Sequence, residues 1–224
     1  MGEFITLPTE DNVPLRAYRA EPEGTPRGGV VVLQEIFGVN HQIQSTADRF
    51  AQLGYLAIAP AIQDRAMPGF FTDDYSPEEF TKARSFIGSF KLDQALLDVK
   101  AAVAEAAKAG KVGVTGYCFG GMLTWRAAHA GMGLSAASGY YGGGVMNYID
   151  AAPQIPIEMH YGDRDAGIPL EQVEQLRARY PQVPIYVYDA DHGFYNDERK
   201  PTFDAPAATV AFARTAVFFA RHLA

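Results

Sequence analysis

The 224-residue chain has a single cysteine, so it can close no internal disulfide and cannot furnish a four-cysteine zinc site. Basic residues are the minority, 19 Lys and Arg against 26 Asp and Glu, and the formal charge of −7 is scattered rather than gathered in runs. With no basic surface to track a phosphate backbone, nucleic acid is not an expected partner. No apolar stretch reaches the ~18 residues of a membrane span, and Met1-Gly2-Glu3-Phe4 lacks the basic and apolar regions of a secretory leader. Thr6 completes a myristoylation pattern only formally. A cytoplasmic protein without membrane attachment is expected. The histidines are dispersed, with neither HExxH spacing nor a close carboxylate set, so neither a metal nor a cofactor is expected. No run of proline, serine or like charge marks a linker, which predicts one domain over residues 1–224. Monomer and homodimer both remain open.

What is present is a rhythm. Short apolar runs at Gly29–Leu33, Tyr55–Ala59, Lys111–Thr115, Ala136–Tyr141, Pro156–Tyr161 and Pro184–Tyr188 alternate with longer amphipathic stretches. Phe4–Leu7 and Val13–Arg19 straddle a polar turn and read as an antiparallel hairpin. Asn40 can cap a helix through Leu53, and Ser76-Pro77-Glu78-Glu79 combines a capping box with proline at the first helical position. Further helices are predicted over Leu92–Ala109, Leu170–Tyr180 and Ala205–Leu223. This alternation predicts an α/β fold, a mostly parallel sheet of about eight strands with helices on both faces. The residues between Ala61 and Ser76 are too few for a separate cap domain, so any lid is a loop.

The lone Cys118 stands in Gly116-Tyr117-Cys118-Phe119-Gly120, between an apolar run and a helix-forming one. A lone cysteine commonly serves as small apolar filler. In this setting it reads as a nucleophile elbow, a sharp strand-to-helix turn whose flanking glycines let neighbouring chain pass close. With serine at its centre the motif marks an α/β-hydrolase; with cysteine the nucleophile is softer, a free thiol titrating near about 8.5. The segment lacks the Lys-Ser/Thr ending of a P-loop and the GxGxxG spacing of a dinucleotide fold. An elbow needs an acid and then a histidine, each after a later strand. Gly162-Asp163-Arg164-Asp165 follows one apolar run, and Asp189-Ala190-Asp191-His192-Gly193-Phe194 follows the next. Imidazole can take a thiol proton near neutral pH, and a carboxylate on its other nitrogen fixes the tautomer. Cys118, Asp165 and His192 are therefore the expected triad, with Asp163, then Asp189 and Asp191, as competitors for the acid. His41, His129, His160 and His222 read as structural or surface residues. Glu35, at the end of the run Val30–Leu33, is either a solvated strand-end charge or a carboxylate near the thiol.

Together Gln34-Glu35-Ile36-Phe37-Gly38-Val39-Asn40, the cysteine elbow, Gly139-Tyr140-Tyr141-Gly142, Gly162-Asp163-Arg164-Asp165 and Asp191-His192-Gly193-Phe194 resemble the dienelactone hydrolase (carboxymethylenebutenolidase) family over nearly the whole chain. The resemblance implies Cys118 as nucleophile, His192 as base, Asp165 as its orienter, and the backbone N–H groups of Ile36 and Phe119 as the oxyanion hole. It also implies that Glu35 gates the thiol, holding it at rest and taking its proton when substrate arrives. The implied reaction opens a lactone or cleaves a carboxylic ester through an acyl-thioester, with a small-molecule substrate.

Substrate recognition departs from the family pattern, in which two arginines hold the dienelactone carboxylate. Asn196 stands at one of these positions and Phe80 near the other, with Lys82 and Arg84 only approximately placed. Arg16, Arg65 or Arg199 are the available substitutes, and an arginine fork is not equivalent to an asparagine. Of the aromatics Phe37, Trp125, Tyr140, Tyr141 and Phe194, Phe37 and Tyr141 are expected near substrate and the rest in the core. A broader esterase or thioesterase, or a hydrolase-fold binding protein without turnover, are the alternatives.

Overall fold

The computed structural model describes residues 2–224. These form two compact units, residues 2–112 with Leu223 and residues 113–222 with Ala224.

In the first unit, β1 (Glu3–Leu7) and β2 (Leu15–Ala20) form the expected antiparallel hairpin, with Glu3 opposite Arg19 and Leu7 opposite Leu15. The second strand begins later than the apolar pattern suggests. The Thr9 hydroxyl donates to the Val13 carbonyl at 2.6 Å and accepts the Val13 N–H at 3.0 Å, so the turn consumes this residue's backbone groups. β2 then pairs antiparallel with β4 (Leu56–Pro60), which runs parallel to β3 (Gly29–Leu33). Every residue of β3 and β4 is buried, which explains why both read as continuous apolar runs rather than alternating ones.

Three helices complete this unit. In α1 (His41–Gln52) the Asn40 side chain accepts the Ile43 N–H at 3.3 Å, and Ile43, Ala47 and Phe50 face the core. Ser76 caps α2 (Pro77–Ser85) by accepting the Glu79 N–H at 3.4 Å. The reciprocal half of the expected capping box is not made: the Ser76 N–H donates to Asp74 Oδ1 at 2.8 Å, and Glu79 instead pairs with Lys82 at 3.3 Å. A nearer acceptor has won. α3 (Leu92–Ala106) tightens into a 3₁₀ turn at Ala107–Ala109 and stops at Gly110, whose φ of 120° ends the helical path. α1 and α3 both pack on β3 and β4.

The segment after β4 carries no domain of its own. A 3₁₀ turn over Ile62–Arg65 is followed by a loop fixed at both ends. Arg65 forks onto the fully buried Asp98 at 2.7 and 2.8 Å and also onto Asp11 at 2.7 Å. Farther along, the Thr72 N–H donates to the Phe37 carbonyl, and Asn40 Nδ2 donates to the Thr72 carbonyl, both at 3.0 Å.

The second unit is a parallel βα array. β5 (Val112–Tyr117), whose first residue lies at the boundary, is followed by α4 (Phe119–Ala127), β6 (Leu134–Tyr140), β7 (Ile157–Gly162), α5 (Leu170–Arg179), β8 (Ile185–Tyr188) and α6 (Ala205–His222). β6 pairs parallel with β7 and β7 with β8, placing Tyr140 opposite His160 and His160 opposite Tyr186. α4 and α6 pack on β6. Among the described residues no helix is long and apolar enough to cross a membrane.

Candidate active site

The turn between β5 and α4 is a single residue. Cys118 has φ 54° and ψ −112°, a conformation that L-residues avoid and that costs of order 1–3 kcal/mol when imposed. Two backbone hydrogen bonds hold it there: the Cys118 N–H donates to the Tyr140 carbonyl at 3.0 Å, and the Cys118 carbonyl accepts the Met122 N–H at 3.2 Å. The neighbouring glycines are steric requirements. A Cβ on Gly116 would lie 2.2 Å from the Gly120 carbonyl oxygen, and one on Gly121 would lie 2.4 Å from that of Tyr140. Gly116→Ala is therefore expected to destabilise the protein by about 3 kcal/mol or more, because its obstacle is backbone. Chemical denaturation would read this, and an unchanged midpoint would contradict it.

Asp165 lies in the turn after β7 and is 4% exposed. Its Oδ1 accepts the backbone N–H groups of Gly167 at 2.8 Å and Ile168 at 3.1 Å, which fixes the carboxylate plane. Oδ2 is then presented to His192 Nδ1 at 2.6 Å. The competing acids are occupied elsewhere. Asp163 Oδ1 accepts the Ala190 N–H at 3.3 Å, while Asp189 and Asp191 both pair with Arg164.

His192 also hydrogen-bonds Cys118. Burial works against its charged form, but the electrostatic and hydrogen-bonding pull of Cys118 and Asp165 outweighs it, raising His192 from 6.5 to about 11. The arrangement therefore favours the protonated imidazole. The Tyr141 ring lies 5.1 Å from that of His192, centroid to centroid, on a backbone turned to φ 34°. The other histidines lack such a setting: His41 is exposed, His129 Nδ1 contacts the Trp125 carbonyl at 2.6 Å, and His222 lies against Phe218. His160 is fully buried in a polar cluster that sequence spacing did not reveal.

The second unit thus brings together Cys118, Asp165, His192 and Tyr141. Glu35, Ile36 and Phe37 follow β3 consecutively in the first unit, at 3%, 7% and 2% exposure. The Glu35 carbonyl accepts a hydrogen bond from Gln34 Nε2 at 3.1 Å, and the Phe37 ring stands edge-on to Tyr75. Asn196 is fully buried, and its Oδ1 accepts the N–H groups of Glu198 and Arg199, both at 3.2 Å, as a turn former would. Arg16 is committed to Asp64 at 2.9 Å and Arg65 to Asp98 and Asp11, which leaves neither poised for a substrate. Arg199 Nη1 lies 3.2 Å from where a Cβ on Gly193 would be, beside His192.

The dienelactone hydrolase family model matches residues 15–223. A Synechocystis sp. protein provisionally named carboxymethylenebutenolidase is 34% identical over 98% of this chain and 96% of its own. The carboxymethylenebutenolidase of Pseudomonas putida is 28% identical over 98% and 97%. The crystal structure of a Klebsiella pneumoniae protein provisionally described as a dienelactone hydrolase matches with a TM-score of 0.84 at 28% identity, covering 98% of each chain. A strained strand-to-helix turn, strands in mostly parallel pairing and matches along nearly the full length lead to one assignment: the chain belongs to the dienelactone hydrolase family and has its α/β-hydrolase fold of eight mostly parallel strands with helices.

Proposed function

We propose that the protein hydrolyses a lactone or carboxylic ester through Cys118, His192 and Asp165. The observation that carries this reading is the imidazole held by Asp165 at 2.6 Å on Nδ1 and hydrogen-bonded to the thiol. Cys118 Sγ, its proton already passed to His192, attacks the carbonyl carbon. The backbone N–H groups of Ile36 and Phe119 receive the developing oxyanion. The C–O bond breaks, the leaving oxygen takes the proton from His192, and an acyl-thioester remains. A water deprotonated by His192 then attacks the thioester, releasing the acid and returning the thiol. Tyr141, beside His192, and Phe37 are assigned to the acyl pocket.

Two resting partners compete for the thiol: His192, by the hydrogen bond above, and Glu35, by the family resemblance. Iodoacetamide labelling separates them. If Glu35 is the gate, labelling is slow alone and faster with a substrate analogue; fast labelling in both states removes Glu35 from that role.

Substrate charge is the open specificity. Asn196 is engaged in a turn and Arg16 and Arg65 in ion pairs, which favours neutral lactones and esters. The position of Arg199 beside Gly193 favours the second reading, an anionic substrate such as a dienelactone. Kinetics on cis- and trans-dienelactone, neutral butenolides and simple aryl esters, repeated with Arg199→Ala, decide between them. Under the first reading the dienelactones have no advantage and the variant leaves every kcat/KM within about twofold. A dienelactone preference above about tenfold that the variant abolishes establishes the second.

A further inference from the structure

In the second unit, a buried polar chain runs beneath α6. Glu158, 2% exposed, accepts hydrogen bonds on Oε1 from Ser138, Thr215 and His160 Nε2, each at 3.1 Å. With Nε2 donating, His160 Nδ1 must accept, and the Tyr188 hydroxyl lies 2.8 Å from it. The Tyr188 oxygen in turn accepts from Arg214 Nη1 at 3.0 Å. This ordering needs a neutral imidazole, and burial lowers the His160 pKa. An anion and a cation are thus held at opposite ends of a directed chain, spaced by an uncharged ring.

Both ends face one groove of about 420 Å³, walled by Glu158, Tyr186, Val210, Arg214, Val217 and Phe218. All three hydrogen bonds of the Glu158 side chain fall on Oε1, and Oε2 takes none from the protein. Arg214 lies 4.1 Å over the Tyr186 ring and spends one N–H on Tyr188, keeping Nε and Nη2 for another acceptor. The remaining wall adds Thr209 and a second cation, Arg221, to an apolar stretch that faces solvent, with Val210 45% and Val217 62% exposed. Cys118, Asp165 and His192 do not line this groove.

We propose that this groove binds an α-amino-acid-type zwitterion with an apolar side chain. Its ammonium donates to Glu158 Oε2, its carboxylate accepts from Arg214, and its side chain covers Val210 and Val217. A ligand with one charge satisfies only one end of the groove, and a neutral apolar ligand satisfies neither.

The test is a calorimetric titration of the full-length Cys118→Ala protein, which removes the catalytic thiol, with L-phenylalanine, phenethylamine and 3-phenylpropionate. The expected result is saturable binding of phenylalanine with a Kd at least about tenfold below that of either singly charged analogue. Glu158→Gln should bring phenylalanine down to the level of 3-phenylpropionate. Because that substitution touches a buried cluster, Val217→Arg serves as the independent variant: at a 62% exposed position it blocks the groove while leaving the unfolding midpoint unchanged. Absence of saturation at millimolar concentration, an analogue binding as tightly as phenylalanine, or phenylalanine binding retained in Val217→Arg would each overturn the proposal.

Discussion

Cys118→Ala is expected to lower kcat/KM for any ester or lactone substrate by about 10⁴–10⁶-fold without loss of fold, because under the proposed mechanism it removes the atom that forms the acyl intermediate. Cys118→Gly should be equally inactive and more stable than the alanine variant by about 1 kcal/mol. Alanine keeps a Cβ at φ 54°, whereas glycine relieves that strain. The two measurements test different links of the argument, the first the chemistry and the second the backbone. Hydrolysis at the wild-type rate in Cys118→Ala would mean that another group carries the reaction and would remove Cys118 from the nucleophile's role.

His192→Gln is expected to reduce kcat by about 10²–10⁴-fold, the usual worth of a positioned general base. Its stability signature is separate. The imidazolium is raised from 6.5 to about 11 in the folded state, so the stabilisation it brings is fully present below pH 6.5 and is lost as pH climbs through about 11. The stability difference between wild type and His192→Gln should therefore shrink steadily over that interval. Cys118→Ser should compress the trend, since Cys118 is the largest factor raising His192. A difference independent of pH would mean that no imidazolium is held there.

The strand rhythm was legible because β3, β4 and β5 are buried along their whole lengths, and burial on both faces leaves an unbroken apolar run. The choice among acids, with Asp165 placed first, had no chemical ground in the sequence. Asp163, Asp165, Asp189 and Asp191 are chemically equivalent in the sequence. Only the path of the turn, which commits Asp163 to Ala190 and Arg164 to the last two, leaves Asp165 facing His192. The same holds for arginine: Arg16 and Arg65 looked available until Asp64, Asp98 and Asp11, distant in sequence, were found against them. His160 was hidden for the same reason, its partners Ser138, Glu158, Tyr188 and Thr215 lying on four different elements.

The turn at Cys118 has a consequence for diversification. Its strain resides in two dihedral angles and its clearance in Gly116 and Gly121, and none of these depends on sulfur. To the backbone, serine and cysteine are the same occupant of one socket. A lineage can therefore trade a thiol for an alcohol in one substitution without rebuilding the scaffold, and only the proton affinity of the partners must then be retuned to suit the new nucleophile.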